Sequence, residues 1–161
     1  MNVGDVMTKE VRTVSPEMRL PELQRALLQE KVRGFPVVRD GRLVGVVSRS
    51  DIVRMLSIDQ SVAEEAMSGF YLDGTVGDTP AQSLEMISEY VGRRIQEMTV
   101  DSAMIRTLVT VGPDTPLVEA AKLMAERRIH RLPVVADDLL VGILSATDFV
   151  RLTAEGALKP S

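Results

Sequence analysis

The chain repeats itself. Shifted by 97 positions, the distance from Met7 to Met104, it falls on its own sequence without a gap. Thr13-Val14 lands on Thr110-Val111, Pro16 on Pro113, and Pro36-Val37-Val38 on Pro133-Val134-Val135. Leu43-Val44-Gly45 lands on Leu140-Val141-Gly142, Ser48 on Ser145, Asp51 on Asp148, and Val53-Arg54 on Val150-Arg151. A register held over roughly fifty positions marks one duplicated unit, and a unit too small to cover its own apolar faces is expected to stack on its twin.

Each copy reads as βαββα. A short extended piece, Val11 to Val14 or Leu108 to Val111, ends at Ser15-Pro16 or Gly112-Pro113. A helix follows, with Leu20, Leu23 and Leu27 in one copy and Leu117, Ala120, Ala121 and Met124 in the other at helical spacing. Pro21 and Pro116 stand near the helix starts, where a missing N–H is harmless. Two strands come next, Phe35 to Val38 and Leu43 to Val47 in the first copy. Asp40-Gly41 between them supplies the positive φ angles of a tight hairpin, and Asp137-Asp138 is the weaker turn signal of the second copy. A last helix begins near Ser50-Asp51 or Thr147-Asp148.

The expected fold class is therefore α/β: two pseudo-symmetric βαββα units packed through their sheets, with a helical insert between them. Residues 1–56 form the first unit, 57–99 the insert, 100–155 the second unit and 156–161 a tail. Within the insert the pattern predicts a helix over Ile58 to Met67, a loop over Ser68 to Pro80 and an amphipathic helix over Ser83 to Met98, with Leu84, Ile87, Tyr90, Val91 and Ile95 on one side.

Composition removes several function classes. With no Cys and a single His, His130, neither a disulfide framework nor a thiolate or multi-His metal site is available within the chain. Met7, Met104 and Met124 read as core filler rather than soft-metal ligands. The net charge of −4 and the lack of a dense Lys/Arg run oppose nonspecific nucleic-acid binding, and 3% aromatic content opposes single-strand binding by stacking. No run of eighteen apolar residues implies a membrane span, and Met1 to Glu10 shows no secretory leader, so a cytoplasmic location is expected. No nucleophile elbow, Walker loop or dinucleotide fingerprint supports catalysis.

The chemistry is concentrated where each second strand ends. Gly45-Val46-Val47-Ser48-Arg49-Ser50-Asp51 and Gly142-Ile143-Leu144-Ser145-Ala146-Thr147-Asp148 each place a hydroxyl at a strand end and a carboxylate three residues later at a helix start. A carboxylate accepts hydrogen bonds from vicinal ribose hydroxyls, and Ser or Thr hydroxyls with helix N-terminal N–H groups suit phosphate. The same residue types are the favoured N-caps, so the motif reads as a cap, a binding element, or both. His130-Arg131, and Arg33-Gly34 at the matching place, precede a strand and suit an anion, or else complement a helix C-terminus.

Pro-Val-Val followed by Leu-Val-Gly-Val-Val-Ser-Arg-Ser-Asp, with its second appearance at the same offset, resembles the cystathionine-β-synthase (CBS) domain family, and the pair looks like a stand-alone Bateman module. The resemblance covers about residues 3–56 and 100–153. It implies a pseudo-symmetric disc with two clefts between the units, a homodimer, and a non-catalytic regulatory role in binding adenosine-containing ligands in those clefts: AMP, ADP, ATP or S-adenosylmethionine. Carried over by residue, it places Asp51 and Asp148 on ribose hydroxyls and Ser48, Ser50, Ser145 and Thr147 by ribose and phosphate. Arg33, His130 and Arg131 match phosphate contacts. Thr8-Lys9 and Ile105-Arg106 border adenine in the cleft whose Asp belongs to the other copy. Gly34 departs from Arg131, so inequivalent clefts are expected. No catalytic cofactor is implied, and the signal passes to an effector protein outside this chain. The rival reading is a ligand-free dimerisation or protein-interaction module.

Overall fold

The structure, a computed structural model, describes residues 1–55, 57, 89 and 92–158. Its elements are α1 (Val3–Val6), α2 (Leu20–Gln29), β1 (Gly34–Arg39), β2 (Arg42–Ser48), α3 (Val100–Ala103), α4 (Leu117–Arg127), β3 (Arg131–Ala136), β4 (Leu139–Ser145) and α5 (Ala146–Ala154). Residues 49–55 and 92–97 are also helical. The mixed α/β class expected from the repeat is what forms. The helix expected over Ile58 to Met67 and the loop over Ser68 to Pro80 lie outside the described residues. So do Leu56 and most of the helix expected over Ser83 to Met98.

Two compact units divide the chain. One, here the second-repeat unit, comprises Met1–Thr13, Val38–Gly45 and Arg106–Ser161; the other, the first-repeat unit, comprises Val14–Val37 and Val46–Ile105. Each thus takes its opening segment from the other copy. In the second-repeat unit, the Val3 and Gly4 amides donate to the Thr115 and Pro113 carbonyls at 2.9 and 2.8 Å, and Leu117 donates to Met1 at 3.1 Å. The first-repeat unit repeats this bond for bond: Val100 to Met18 at 2.8 Å, Asp101 to Pro16 at 2.9 Å, and Leu20 to Met98 at 2.9 Å. The free N–H groups at the start of each short helix, which lack intrahelical acceptors, are satisfied this way.

The extended pieces expected at Val11 to Val14 and Leu108 to Val111 shrink to single parallel bridges, Val14 with Val37 and Val111 with Val134. Proline is the cause. Val14 and Val111 donate to the carbonyls of Pro36 and Pro133, but those prolines have no N–H to reach back and lengthen the ladder. Pro16 and Pro113 remove the next donor on the other strand.

Both hairpin turns have positive φ at both central residues, Asp40 (53°) with Gly41 (78°) and Asp137 (50°) with Asp138 (65°). Two aspartates therefore adopt the turn for which Asp-Gly is the stronger signal. The strands bond in the order β1-β2-β4-β3. β3 and β4 pair antiparallel from Arg131–Ser145 to Ala136–Leu139, with a bulge after Val134. Arg42 pairs with Leu139, both inside the second-repeat unit.

The core of that unit joins Leu117, Ala120 and Met124 of α4 with Leu132, Val134 and Leu144 of the sheet, Leu152 of α5 and Val3 from α1. In the first-repeat unit the buried set includes Leu20, Leu23, Leu27, Phe35, Val37, Val47, Ile52 and Val100. Phe149 and Leu152 of α5 serve this core: Leu152 belongs to it and Phe149 packs on it. Among the described residues, the apolar side chains left exposed include Leu28, Val53, Val118 and Val150 on helices. None of the described helices is long and apolar enough to cross a membrane.

Met7, which follows α1, lies directly over Gly142 of β4. A Cβ at position 142 falls on Met7 Sδ and comes within 3.0 Å of the Thr8 carbonyl. Gly142→Ala is therefore expected to destabilise the protein by about 1–3 kcal/mol through overpacking of α1 on β4. A urea midpoint equal to that of the parent would refute this packing.

Candidate functional site

The two Ser-x-x-Asp motifs build the same structure in the two units. At the end of β4, the Ser145 backbone N–H and hydroxyl donate to Asp148 Oδ2 at 2.8 and 2.7 Å. At the end of β2, the Ser48 N–H and hydroxyl donate to Asp51 Oδ2 at 2.7 and 3.0 Å. This is the reach-back half of a capping box: the carboxylate at the third helical position satisfies the residue that opens the helix. Each motif is thus a cap.

The other carboxylate oxygen meets an arginine one turn later. Arg54 Nη2 lies 3.0 Å from Asp51 Oδ1, and Arg151 Nη2 lies 3.4 Å from Asp148 Oδ1. The same guanidinium nitrogens donate to a carbonyl of the exchanged short helix, Ala103 at 3.2 Å and Val6 at 3.5 Å. Asp51 is 2% exposed and Asp148 8%. A carboxylate this buried needs its oxygens satisfied, and the hydroxyl, amide and guanidinium donors do that. Sequence reading missed Arg54, Arg151 and the two short helices. The signal was present, since Arg54 and Arg151 match in the repeat, as do Val6 and Ala103 in position.

The units sort the remaining candidate residues. Thr8, Lys9, Arg106, His130, Arg131, Ser145, Thr147 and Asp148 fall in the second-repeat unit. Arg33, Ser48, Ser50, Asp51 and Ile105 fall in the first-repeat unit, so Ile105 and Arg106 are parted. Thr8 pairs with Ile143, two residues before Ser145, by hydrogen bonds of 2.9 Å in both directions. Ile105 pairs likewise with Val46, two residues before Ser48. Thr8, Lys9, Ser50, Arg106 and Thr147 are exposed.

Backbone geometry places the cations. α4 ends at Arg128, which takes the left-handed conformation with φ of 54°, and the Ile129 amide closes back to the Met124 carbonyl at 3.0 Å. That reversal is the Schellman ending, here without the usual glycine. Lys31 does the same after α2, with Val32 bonding Leu27 at 3.2 Å. The chain then enters the strand through His130 or Arg33, whose carbonyls accept from Ala146 at 2.9 Å and Arg49 at 3.0 Å.

From here the copies diverge. Arg131 stands opposite Ser145 in the ladder, so their side chains share a face. Its counterpart Gly34 approaches β2 so closely that a Cβ would lie 2.6 Å from the Val47 carbonyl. No side chain fits there. Arg128, His130 and Arg131 are exposed, with no side-chain ion pair among the described residues. Beside them is a cleft of about 550 Å³ lined by Ala121, Met124, Ala125, Arg128, Ile129, His130, Ala146 and Phe149. Among the described residues no group of three or more His, Asp or Glu is placed to share a metal ion.

The CBS-domain family model matches residues 3–58 and 100–155. The CBS domain-containing protein YhcV of Bacillus subtilis is 30% identical over 147 residues, 91% of this chain and 81% of YhcV. The chloroplastic CBS domain-containing protein CBSX2 of Arabidopsis thaliana is 33% identical over 153 residues, 92% of this chain but only 62% of CBSX2. A crystal structure of CBSX2 in complex with AMP superposes with a TM-score of 0.68 at 28% identity, covering 98% of both chains.

The deeper burial of Asp51 and its shorter contact with arginine have a measurable consequence. Asp51→Ala is expected to cost about 2 kcal/mol of stability and Asp148→Ala about 1 kcal/mol, within the usual range for losing a cap. Urea unfolding of the ligand-free variants compares them directly, and equal or reversed losses would contradict the distinction.

Proposed function

The chain belongs to the CBS-domain family, and from that premise we propose that it is a regulatory module that binds AMP, without turnover, at its second-repeat unit. One observation carries the choice of unit: Arg128 and His130 line a cleft, Arg131 follows them at the start of β3, none of the three has a side-chain ion pair among the described residues, and all sit on the same unit as the Ser145-x-x-Asp148 box. In this reading Arg128, His130 and Arg131 hold phosphate, with Arg131 able to bind bidentately. Asp148 takes ribose hydroxyl, Ser145 and Thr147 flank the ribose and phosphate, and the Thr8-Lys9 segment borders the adenine. The AMP complex of CBSX2 supports the ligand class. Arg33, Ser48, Ser50, Asp51 and Ile105 form the corresponding but weaker place in the first-repeat unit, because Gly34 replaces Arg131 and Asp51 is more deeply buried. Arg106 is the remaining candidate contact.

The thermal shift with AMP tests this. At AMP about 100-fold above Kd, one site contributes about 2.7 kcal/mol. For a chain of this size that raises Tm by an amount on the order of 5–10 °C. Asp148→Asn keeps a capping oxygen while weakening acceptance from hydroxyls, and it is expected to lose most of the shift, as is Arg131→Ala. An Asp148→Asn protein with the full shift would remove Asp148 from the site. ADP, ATP and S-adenosylmethionine belong in the same panel, and a larger shift with any of them reassigns the ligand.

We also propose that the chain is a homodimer that signals to a separate effector protein. Val53 (59% exposed) and its counterpart Val150 (67%), with Leu28 and Val118, leave apolar side chains on helix surfaces, which a twofold contact would bury. Light scattering at tens of micromolar is expected to give a dimer for the parent and a monomer for Val150→Glu. A monomeric parent would end this reading.

A further inference from the structure

We infer that Arg151 is a positioning residue whose displacement by a vicinal diol at Asp148 reports occupancy to the exchanged helix α1. The inference rests on the nucleotide reading of Asp148 and extends it to how binding is sensed. It begins with acceptor capacity. A carboxylate offers about four lone-pair positions. At Asp148 three are taken, by the Ser145 N–H at 2.8 Å, the Ser145 hydroxyl at 2.7 Å and Arg151 Nη2 at 3.4 Å. One position is open. Two ribose hydroxyls donating together need two, so one existing donor must leave.

Arg151 is the donor that leaves. Its bond is the longest of the three, and another acceptor is nearby: Nη1 lies 3.8 Å from Glu155 Oε1 on the next turn of α5. Arg151 Nη2 is also the group that reaches the Val6 carbonyl at 3.5 Å. A guanidinium drawn toward Glu155 therefore gives up both Asp148 and α1. The helix stays docked through Val3, which is fully buried and bonded to Thr115, but its C-terminal end loses a tether. Occupancy of Asp148 and the order of α1 are then linked, and the linkage is reciprocal.

The first-repeat unit is the internal comparison. There Arg54 is bound at 3.0 Å to Asp51 and 3.2 Å to Ala103, and Asp51 is 2% exposed. The same parts without the slack form a fixed tie rather than a displaceable one.

Hydrogen exchange of the peptide spanning residues 1–8, on the full chain with AMP as the probe, tests this. In ligand-free protein, Arg151→Ala and Asp148→Asn are each expected to raise exchange of that peptide severalfold. The double variant should raise it no further, because the two residues act as one unit. Additive effects overturn the coupling. With AMP, the parent's peptide exchanges faster, whereas Arg151→Ala is insensitive to AMP and binds it severalfold more tightly, having no arginine to displace. A merely structural arginine would give weaker binding, and that result overturns the displacement. Arg151→Gln serves for the same comparison if Arg151→Ala does not fold. If calorimetry finds no AMP binding by the parent, the nucleotide reading falls and the displacement with it. The ligand-free double variant then decides the Asp148–Arg151–α1 coupling by itself.

Discussion

Each unit is completed by a short helix from the other copy, and the rest of the molecule is arranged around that exchange. The bonds from Val3 and Gly4 to Thr115 and Pro113, and from Val100 and Asp101 to Met18 and Pro16, fix where α1 and α3 end. Those ends present the Val6 and Ala103 carbonyls to Arg151 and Arg54. The residues just beyond, Thr8 and Ile105, pair beside the strand that carries the serine of each motif. Had the helices docked on their own copies, Thr8 would lie with Asp51 and Ile105 with Asp148. The exchange decides which side chains share a unit.

Within that arrangement a duplicated motif has acquired two characters. Both aspartates satisfy a serine amide and hydroxyl, and both meet an arginine. A buried carboxylate is favourable only when its oxygens are occupied, so neither copy can lose its partners lightly. What varies is the surplus. The second copy has an arginine opposite its serine and cations at the αL ending of α4, whereas the first has a glycine pressed against Val47 and an aspartate with little access to solvent. Duplication allows one copy of the motif to be buried in structure while its twin keeps neighbouring charge exposed.

Several features were legible because they depend on neighbours in sequence. The stripe Leu20, Leu23, Leu27 predicted the buried face of α2, and Asp40-Gly41 predicted its hairpin. The serine and aspartate of each box are three residues apart, so the cap follows from local spacing. The short helices escaped notice because four residues show no period, and because what stabilises them is a set of acceptors more than a hundred positions distant in one case. Pro16 and Pro113, which the sequence marks as stops, act with Pro36 and Pro133 of the Pro-Val-Val repeats to limit the first strand of each copy to a single bridge.

The sequence by itself determined the duplication, the α/β class, the positions of the hairpins and the identity of the Ser-x-x-Asp boxes, all of which rest on periodicity, turn chemistry or a fixed offset. Only the tertiary structure decided that α1 belongs with the second repeat, that Arg151 and Arg54 close the second oxygen of each aspartate, and that Gly34 admits no side chain where Arg131 has one. Those outcomes depend on backbone hydrogen bonds and close approaches between segments distant along the chain. An amide records its own need for an acceptor but not which carbonyl folding will bring to it.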